Sequence, residues 1–400
     1  MFDNSVVIEK IFEFLVKYGL SIVIGTFLLL VVYPIFRLML RWAKVSWVFF
    51  QTRKRAKRAV GKVPGPGGAI EGKGPWLMEP IDCPDHYVRG IQASKILSVA
   101  NYKGGVGKTT IAANIAACLA RKHGVRVLLI DLDFQGSLSS MAFAGKGWQP
   151  NANEDSVATA LIGGELEPND LFKMARKVEG FDNLNVVTAH YDVAQADNRL
   201  LVEWLLSAKP ERPSSWFHWL GDLYYGKIYR PRDMRFNLAR VLHSESVSEA
   251  YGAIIIDCPP RLTAGAIQAL CASTHVLVPA IMDQTSSETV VRYFTQLNEL
   301  QKKLCPKLKQ IGIVPAKYQA RLTSSAQAIE NVRSLNEKGR LDAKLVHEDC
   351  YIPMTARLLD AQQKGIAYLH LGDAAEFADL KKNIESLTHH VISSIGIITK

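Results

Sequence analysis

The sequence predicts a three-layer α/β domain with a mostly parallel sheet, preceded by a single transmembrane helix. Three observations carry that expectation. From about residue 95 onward, short apolar segments alternate with helical ones, the pattern of a parallel sheet covered on both faces. One of those strands runs through a glycine-rich turn straight into a helix, at Ile96–Thr110 (ILSVANYKGGVGKTT). Residues 18–36 (YGLSIVIGTFLLLVVYPIF) carry no charge, and apolar residues continue to Leu40.

The apolar run at 18–40 approaches the roughly 20 residues needed to cross about 30 Å of hydrocarbon. A signal peptide would want positive charge before the run and a small-residue cleavage site after it. Here residues 1–36 sum to −1, and Arg, Lys and Trp follow the run. A buried helix of a soluble protein is the other reading, and no charge interrupts the run to favour it. Pro34 can kink such a helix, which membrane spans tolerate. Residues 1–17 place Glu9, Glu13 and Lys17 among Val6, Val7, Ile11, Phe14 and Leu15, the pattern of a short amphipathic outer segment.

Orientation follows from the basic residues. Arg37, Arg41, Lys44 and the cluster Arg53, Lys54, Arg55, Lys57 and Arg58 all come after the run. By the positive-inside rule the N-terminus lies outside the inner (cytoplasmic) membrane and the rest in the cytoplasm. Trp42 and Trp47 suit the headgroup belt. Contact with anionic lipid explains the 53–58 cluster; nucleic-acid binding is the rival reading. Residues 41–92 form a basic juxtamembrane segment and then a linker, with four prolines and six glycines over 59–80. About 30 flexible residues would let the following domain range over on the order of 30 Å.

Length and composition set further bounds. Four hundred residues can bury a large core. The six cysteines are scattered without a C-x-x-C pair, which suits free thiols in a reducing compartment. Of the net charge of +10, residues 37–73 contribute +9 and the 327 residues after them only +2. A catalytic domain so near neutrality disfavours nucleic acid as its partner.

Within residues 93–400, the Ile96–Thr110 turn can wrap backbone N–H groups around phosphates at the N-terminus of the helix behind it. Lys108 would reach the β/γ-phosphates and the Thr109 hydroxyl would hold Mg²⁺. The common spelling G-x-x-x-x-G-K-[ST] would put its first glycine on Tyr102. Next comes an apolar strand, Arg126–Ile130, ending on Asp131-Leu132-Asp133-Phe134-Gln135-Gly136. Strand alternation would point Asp131 and Asp133 the same way, at a carboxyl edge where ligands bind. Asn183–Ala189 is another strand. Ala253–Ile256 leads into Asp257-Cys258-Pro259-Pro260, an apolar run ending in an acid placed to contact Mg²⁺. His275–Ile281 and Ile311–Pro315 complete the strands. The stretch 195–235 is rich in aromatics (Trp204, Trp216, Trp219, Tyr224, Tyr225, Tyr229) and reads either as a helical elaboration or as a docking surface.

Lys103-Gly104-Gly105-Val106-Gly107-Lys108-Thr109-Thr110 resembles the deviant Walker A motif of the ParA/MinD ATPases, a SIMIBI class of P-loop NTPase. D-C-P-P resembles the family's second motif. D-L-D-F-Q-G is similar to its D-x-D-P-Q-G, with Phe134 where proline is usual. IGIVPAKYQAR resembles the family stretch near the adenine, and YIPMTARLLDAQQKGIAYLH its last strand and helix. The likeness covers roughly 95–390. It implies ATP and Mg²⁺ as cofactors, with nucleotide held by residues 103–110. It implies that Lys103 reaches a partner subunit's nucleotide in an ATP-dependent homodimer, and that Asp133 orients the attacking water. By the same resemblance Thr109, Asp131 and Asp257 serve the metal.

The expected function is a membrane-anchored ATP hydrolase whose dimerisation positions, recruits or regulates a protein complex of unknown identity. A membrane-held DNA partition or conjugation ATPase is the alternative. A polysaccharide-export-type tyrosine kinase fits less well, because no tyrosine follows Tyr368.

Overall fold

The computed structural model describes residues 4–60, 75–77, 80, 94–143, 157–164, 166–207, 233–282, 286–318, 323–337, 350–353, 355–371 and 375–399. Most of the expected linker and the aromatic residues 208–232 fall outside that set. The chain divides into two compact units, Met1–Pro75 and Trp76–Lys400.

In the first unit, α-helix Asn4–Phe27, π-helix Leu28–Val32 and α-helix Tyr33–Val60 follow one another without a break. Residues 4–17, the described part of the expected amphipathic outer segment, therefore continue directly into the apolar run. The π turn has a local cause. Pro34 has no N–H to donate, and its ring crowds the carbonyl four residues back, at Leu30. The backbone widens instead, and the Tyr33 N–H bonds Leu28 O, five residues back. Residues Ile8–Trp47 form one helical run of 40 residues, long and apolar enough to cross a membrane, with mean hydropathy 2.3 in its most apolar window and none of that window buried.

The second unit is built on an eight-stranded sheet: β1 Ile96–Val99, β2 Val127–Asp131, β3 Arg176–Lys177, β4 Leu184–Val187, β5 Ala253–Asp257, β6 His275–Ile281, β7 Lys309–Tyr318 and β8 Ile352–Pro353. Their order across the sheet is β3-β4-β2-β5-β1-β6-β7-β8. All neighbours are parallel except β3 with β4. Because both faces are covered, the strands read as continuous apolar runs. Ile96, Leu128, Ile130, Ile254 and Ile256 enter one core. Leu97, Val99, Val127, Leu129 and Ile255 enter the other. The three-layer α/β architecture is thus as the sequence predicts.

Helix Lys108–His123 buries every residue from Ile111 to Ala120. The sheet covers one side of it, and helices Ala367–His370 and Ala378–Ile395 cover the other. Five alanines, at 112, 113, 116, 117 and 120, make that close double packing sterically possible. Gly124 caps its end at φ 62°, after a basic last turn that suits the helix dipole. Strands β5 and β6, consecutive in the chain, lie on opposite sides of β1. The loop leaving β1 therefore sits at a point where the sheet changes winding direction, the usual ligand crevice of such folds.

The expected 195–235 elaboration resolves differently at its two ends. Helix Asp192–Ser207 and residues 233–242 belong to the main core, where Trp204, Phe236 and Leu238 are fully buried. Arg235 and Asp233, both fully buried, pair through two contacts of 2.9 and 2.7 Å. The guanidinium lies 4.1 Å from the centre of the Trp204 ring and also donates to the Trp76 carbonyl at 2.7 Å. Trp76 is buried in the same core, so residues just after the linker prolines already belong to the globular unit.

Candidate nucleotide site

The phosphate loop connects β1 to helix Lys108–His123. Gly105 and Gly107 sit at φ 71° and 82°, left-handed conformations that glycine adopts without strain. Gly107 is the residue before the helix, and its carbonyl accepts the first helical bond from Ile111 N at 2.9 Å. The N–H groups of the first turn are thereby left facing outward, ready for an anion. Two residues before Lys103, the Asn101 side chain braces the loop. Its Nδ2 donates to Pro279 O at 2.7 Å and its Oδ1 accepts from Lys103 N at 3.0 Å. Tyr102, standing where the common spelling has glycine, meets the Tyr293 ring edge-on at 4.7 Å.

Lys108 is buried, and its Nζ donates to Lys103 O at 3.2 Å. Burial pulls its pKa down, while Asp257, Cys258 and Asp133 push it back up. Thr110 is held from below: Gln362 Nε2 donates to its hydroxyl oxygen at 2.6 Å, leaving the hydroxyl proton to point elsewhere.

Strand register brings the two acids together. Asp257 lies beside Val99 of β1 on one side and beside Asp131 of β2 on the other. Both Asp257 oxygens are buried and lack a hydrogen-bond partner among the described residues. Burial drives its pKa well above the usual carboxylate range, and the neighbouring Asp131 charge pushes the same way. The Thr109 hydroxyl and Lys108 oppose that shift, although Thr109 does not reach hydrogen-bond geometry. A bare, desolvated carboxylate facing a threonine hydroxyl at the end of the phosphate loop fits a divalent cation. Among the described residues no three His, Cys, Asp or Glu side chains enclose a metal. A cation here would therefore draw its other oxygens from phosphate and water, as Mg²⁺ does.

Asp131 is different. Its Oδ1 accepts from Asp133 N at 3.0 Å, and its Oδ2 from Ser139 N and Ser139 Oγ at 2.9 and 2.8 Å. Burial lifts its pKa to about 6, against the pull of those bonds. Asp131, which the sequence groups with the metal, organises the loop that carries Asp133. Asp133 itself lies past the end of β2, so strand alternation does not aim it. An Asx-type turn does: its Oδ1 accepts from Gln135 N at 3.1 Å, and Gly136 N closes on Asp133 O at 2.9 Å. Phe134 is exposed and meets Tyr191 edge-on at 6.5 Å.

The structure thus gathers residues 103–110, Asp131, Asp133 and Asp257 at one edge of the sheet. Asn101, Ser139 and Gln362 escaped sequence reading. Their hydrogen bonds, from Asn101 to Pro279, from Ser139 to Asp131 and from Gln362 to Thr110, follow no local sequence pattern.

A family model for the CobQ/CobB/MinD/ParA nucleotide binding domain matches residues 97–367. The chain belongs to that family. Among similar proteins, the sporulation initiation inhibitor protein Soj of Bacillus subtilis is 32% identical over 72% of this chain and 98% of its own length. The chromosome partitioning protein ParA of Myxococcus xanthus is 29% identical over 61% of this chain and 72% of its own. In fold, an ATP complex of Cyanothece McdA matches with TM-score 0.56 at 21% identity, over 78% of this chain and all but 1% of that one. Cobyrinic acid a,c-diamide synthase of Mycobacterium smegmatis, solved with an ATP analogue and magnesium, matches with TM-score 0.54 at 24% identity, over 76% and 94%. The fold is thus shared with a synthase as well as with McdA.

Proposed function

We propose that this chain is a membrane-anchored ATPase whose ATP-dependent dimerisation positions, recruits or regulates a partner complex. The observation that carries the ATPase part is the bare Asp257 carboxylate, fixed by register beside the phosphate loop with Lys108 and Thr109 facing it. The first-turn N–H groups and Lys108 hold the phosphates. Thr109 and Asp257 would hold Mg²⁺, which would supply positive charge to neutralise the phosphates. Asp133, set by its turn, orients water for attack. Lys103 serves the nucleotide of a second copy and adds positive charge where it develops. Loss of the γ-phosphate then releases the contacts that close the dimer.

The anchoring part rests on the exposed apolar helix Ile8–Trp47 and on the basic residues that follow the apolar run. They support an inner-membrane protein with its N-terminus outside, its ATPase domain in the cytoplasm and residues 53–58 on anionic lipid. Such an anchor leaves dimerisation in the membrane plane as the nucleotide-dependent event. A DNA partition ATPase held at the membrane is the second reading, favoured by relatives named for chromosome partitioning. A steep salt dependence of DNA binding would support it.

Light scattering on residues 75–400, a piece that retains Trp76, tests the switch. A monomer with ADP, a dimer with ATP and a monomer again for Lys103→Ala are expected. A monomer under every condition would remove the dimerisation mechanism.

A further inference from the structure

Helix Asp192–Ser207 shows one buried stripe: Val193, Leu200 and Trp204 point into the core. Asp197 sits on that stripe at the i+4 spacing from Val193, where an apolar residue belongs. Its burial raises its pKa. An acid there needs a reason, and the structure supplies one. Asp197 Oδ1 accepts from Gly265 N at 2.9 Å, in the first turn of helix Ala264–Ala272. That helix already has its own cap, because the Thr263 hydroxyl accepts from Ala266 N at 3.3 Å. Asp197 is thus a second acceptor brought in from a distant element, at a helix end that favours negative charge.

The held turn touches the catalytic loops on two sides. Residues Pro259–Leu262 and Thr263 alone separate it from Asp257-Cys258. Across the gap, a Cβ placed on Gly265 would lie 3.7 Å from Asp197 Oδ1 and 3.9 Å from Leu132 Cβ. Leu132 is the residue between Asp131 and Asp133, and its N–H bonds Asp257 O at 3.1 Å. Position 265 therefore lies between Asp197 and the loop that aims Asp133. At its start the same helix follows Tyr191, whose ring meets Phe134 of that loop. At its far end Trp204 lies under the Arg235 guanidinium. One rigid helix thus spans from the catalytic loop to the buried Asp233–Arg235 pair.

We infer that Asp197 is a positioning residue for hydrolysis. It holds the first turn of helix Ala264–Ala272 against Leu132, and so sets the Asp133 loop and the loop after Asp257, while the Trp204–Arg235 stack fixes the helix that carries it. The inference rests on the ATPase reading above and concerns the turnover step, since Asp197 touches none of residues 103–110.

The test is ATP turnover by the full-length chain in detergent, with kcat and KM separated and ATP binding measured directly. Asp197→Ala lowers kcat on the order of tenfold through misplacement of the loops, with KM within about twofold. Asp197→Asn, which keeps an acceptor oxygen at the same place, recovers most of that loss. Trp204→Leu lowers kcat in the same direction and is less than additive with Asp197→Ala. An unchanged kcat for Asp197→Ala overturns the inference. So does a rise in KM with kcat preserved, or an Asn variant no better than Ala. Lys108→Ala separates the two levels. If it is inactive while Asp197→Ala equals wild type, the positioning role alone fails. If Lys108→Ala turns over ATP like wild type, the ATPase reading fails first.

Discussion

The ends of β2 and β5 make an instructive pair. Asp131 and Asp257 stand side by side in register, and each is fully buried. Asp131 accepts three hydrogen bonds, one from Asp133 N and two from Ser139 in helix Ser137–Ala142. Asp257 accepts none. Burial of the first is a structural device, because its bonds hold the turn bearing Asp133 from both sides, at Asp133 N and at Ser139. Burial of the second without a hydrogen-bond partner costs stability, which under the proposed function a cation would offset. Equal depth and equal chemistry thus give opposite roles, and donor count separates them. The same test, applied to sequence motifs alone, would have grouped both with the metal.

The largest effect expected from this contrast is on Asp257. Asp257→Asn lowers Mg²⁺-dependent hydrolysis by on the order of 10³. Replacement of a buried carboxyl group that has no hydrogen-bond partner also leaves the metal-free domain as stable as wild type or more so, read as thermal midpoint in EDTA. A clear fall in that midpoint would mean that Asp257 has partners in the folded state after all.

Asp133→Ala is next. Hydrolysis falls by on the order of 10², while ATP binding persists, because the residue orients water and not nucleotide. Equilibrium binding of a fluorescent ATP analogue separates the two.

Asp131→Ala acts on stability with the opposite sign to Asp257→Asn. Loss of an acceptor for three buried donors costs about 2–4 kcal/mol in chemical denaturation. Little change would show that Ser139 and the Asp133 turn stand without it.

The pH dependence is smaller and sharpens the same point. The folded domain holds the Asp131 proton more tightly than the unfolded chain, with the pKa raised from 3.8 to about 6. This group therefore favours the metal-free fold below its unfolded pKa, and that contribution is lost as pH rises through about 6. Mg²⁺ with nucleotide should stabilise the domain more at pH 8 than at about pH 5.5, because the cation competes with protons for Asp257, whose pKa burial and the neighbouring Asp131 raise. Equal stabilisation at both values would break the electrostatic account. Smallest of all, Phe134→Ala changes stability by under about 0.5 kcal/mol, since the ring is exposed and the Asp131 bonds do not involve it.

Legibility in the sequence followed the range of the forces involved. The phosphate loop was legible because glycine at positive φ, a strand before it and a helix after it are all properties of fifteen adjacent residues. The parallel sheet was legible because strands buried on both faces must be apolar throughout. Asp197 left a faint trace, an acid on an otherwise apolar stripe, but its target lies 68 residues away. Trp76 looked like linker, since proline and glycine surround it, yet it packs into the core beneath Arg235.

By itself, then, the sequence determined the elements, the phosphate-binding turn and one apolar helix long enough for a membrane. Propensity, periodicity and charge act over a few residues and need no knowledge of the fold. Only the tertiary structure decided which acid is satisfied and which is bare. Strand order places β5 between β1 and β2, and register then sets Asp257 between Val99 and Asp131. Those pairings join residues far apart in the chain. They follow from which apolar faces pack together, and no local stretch of sequence carries that information.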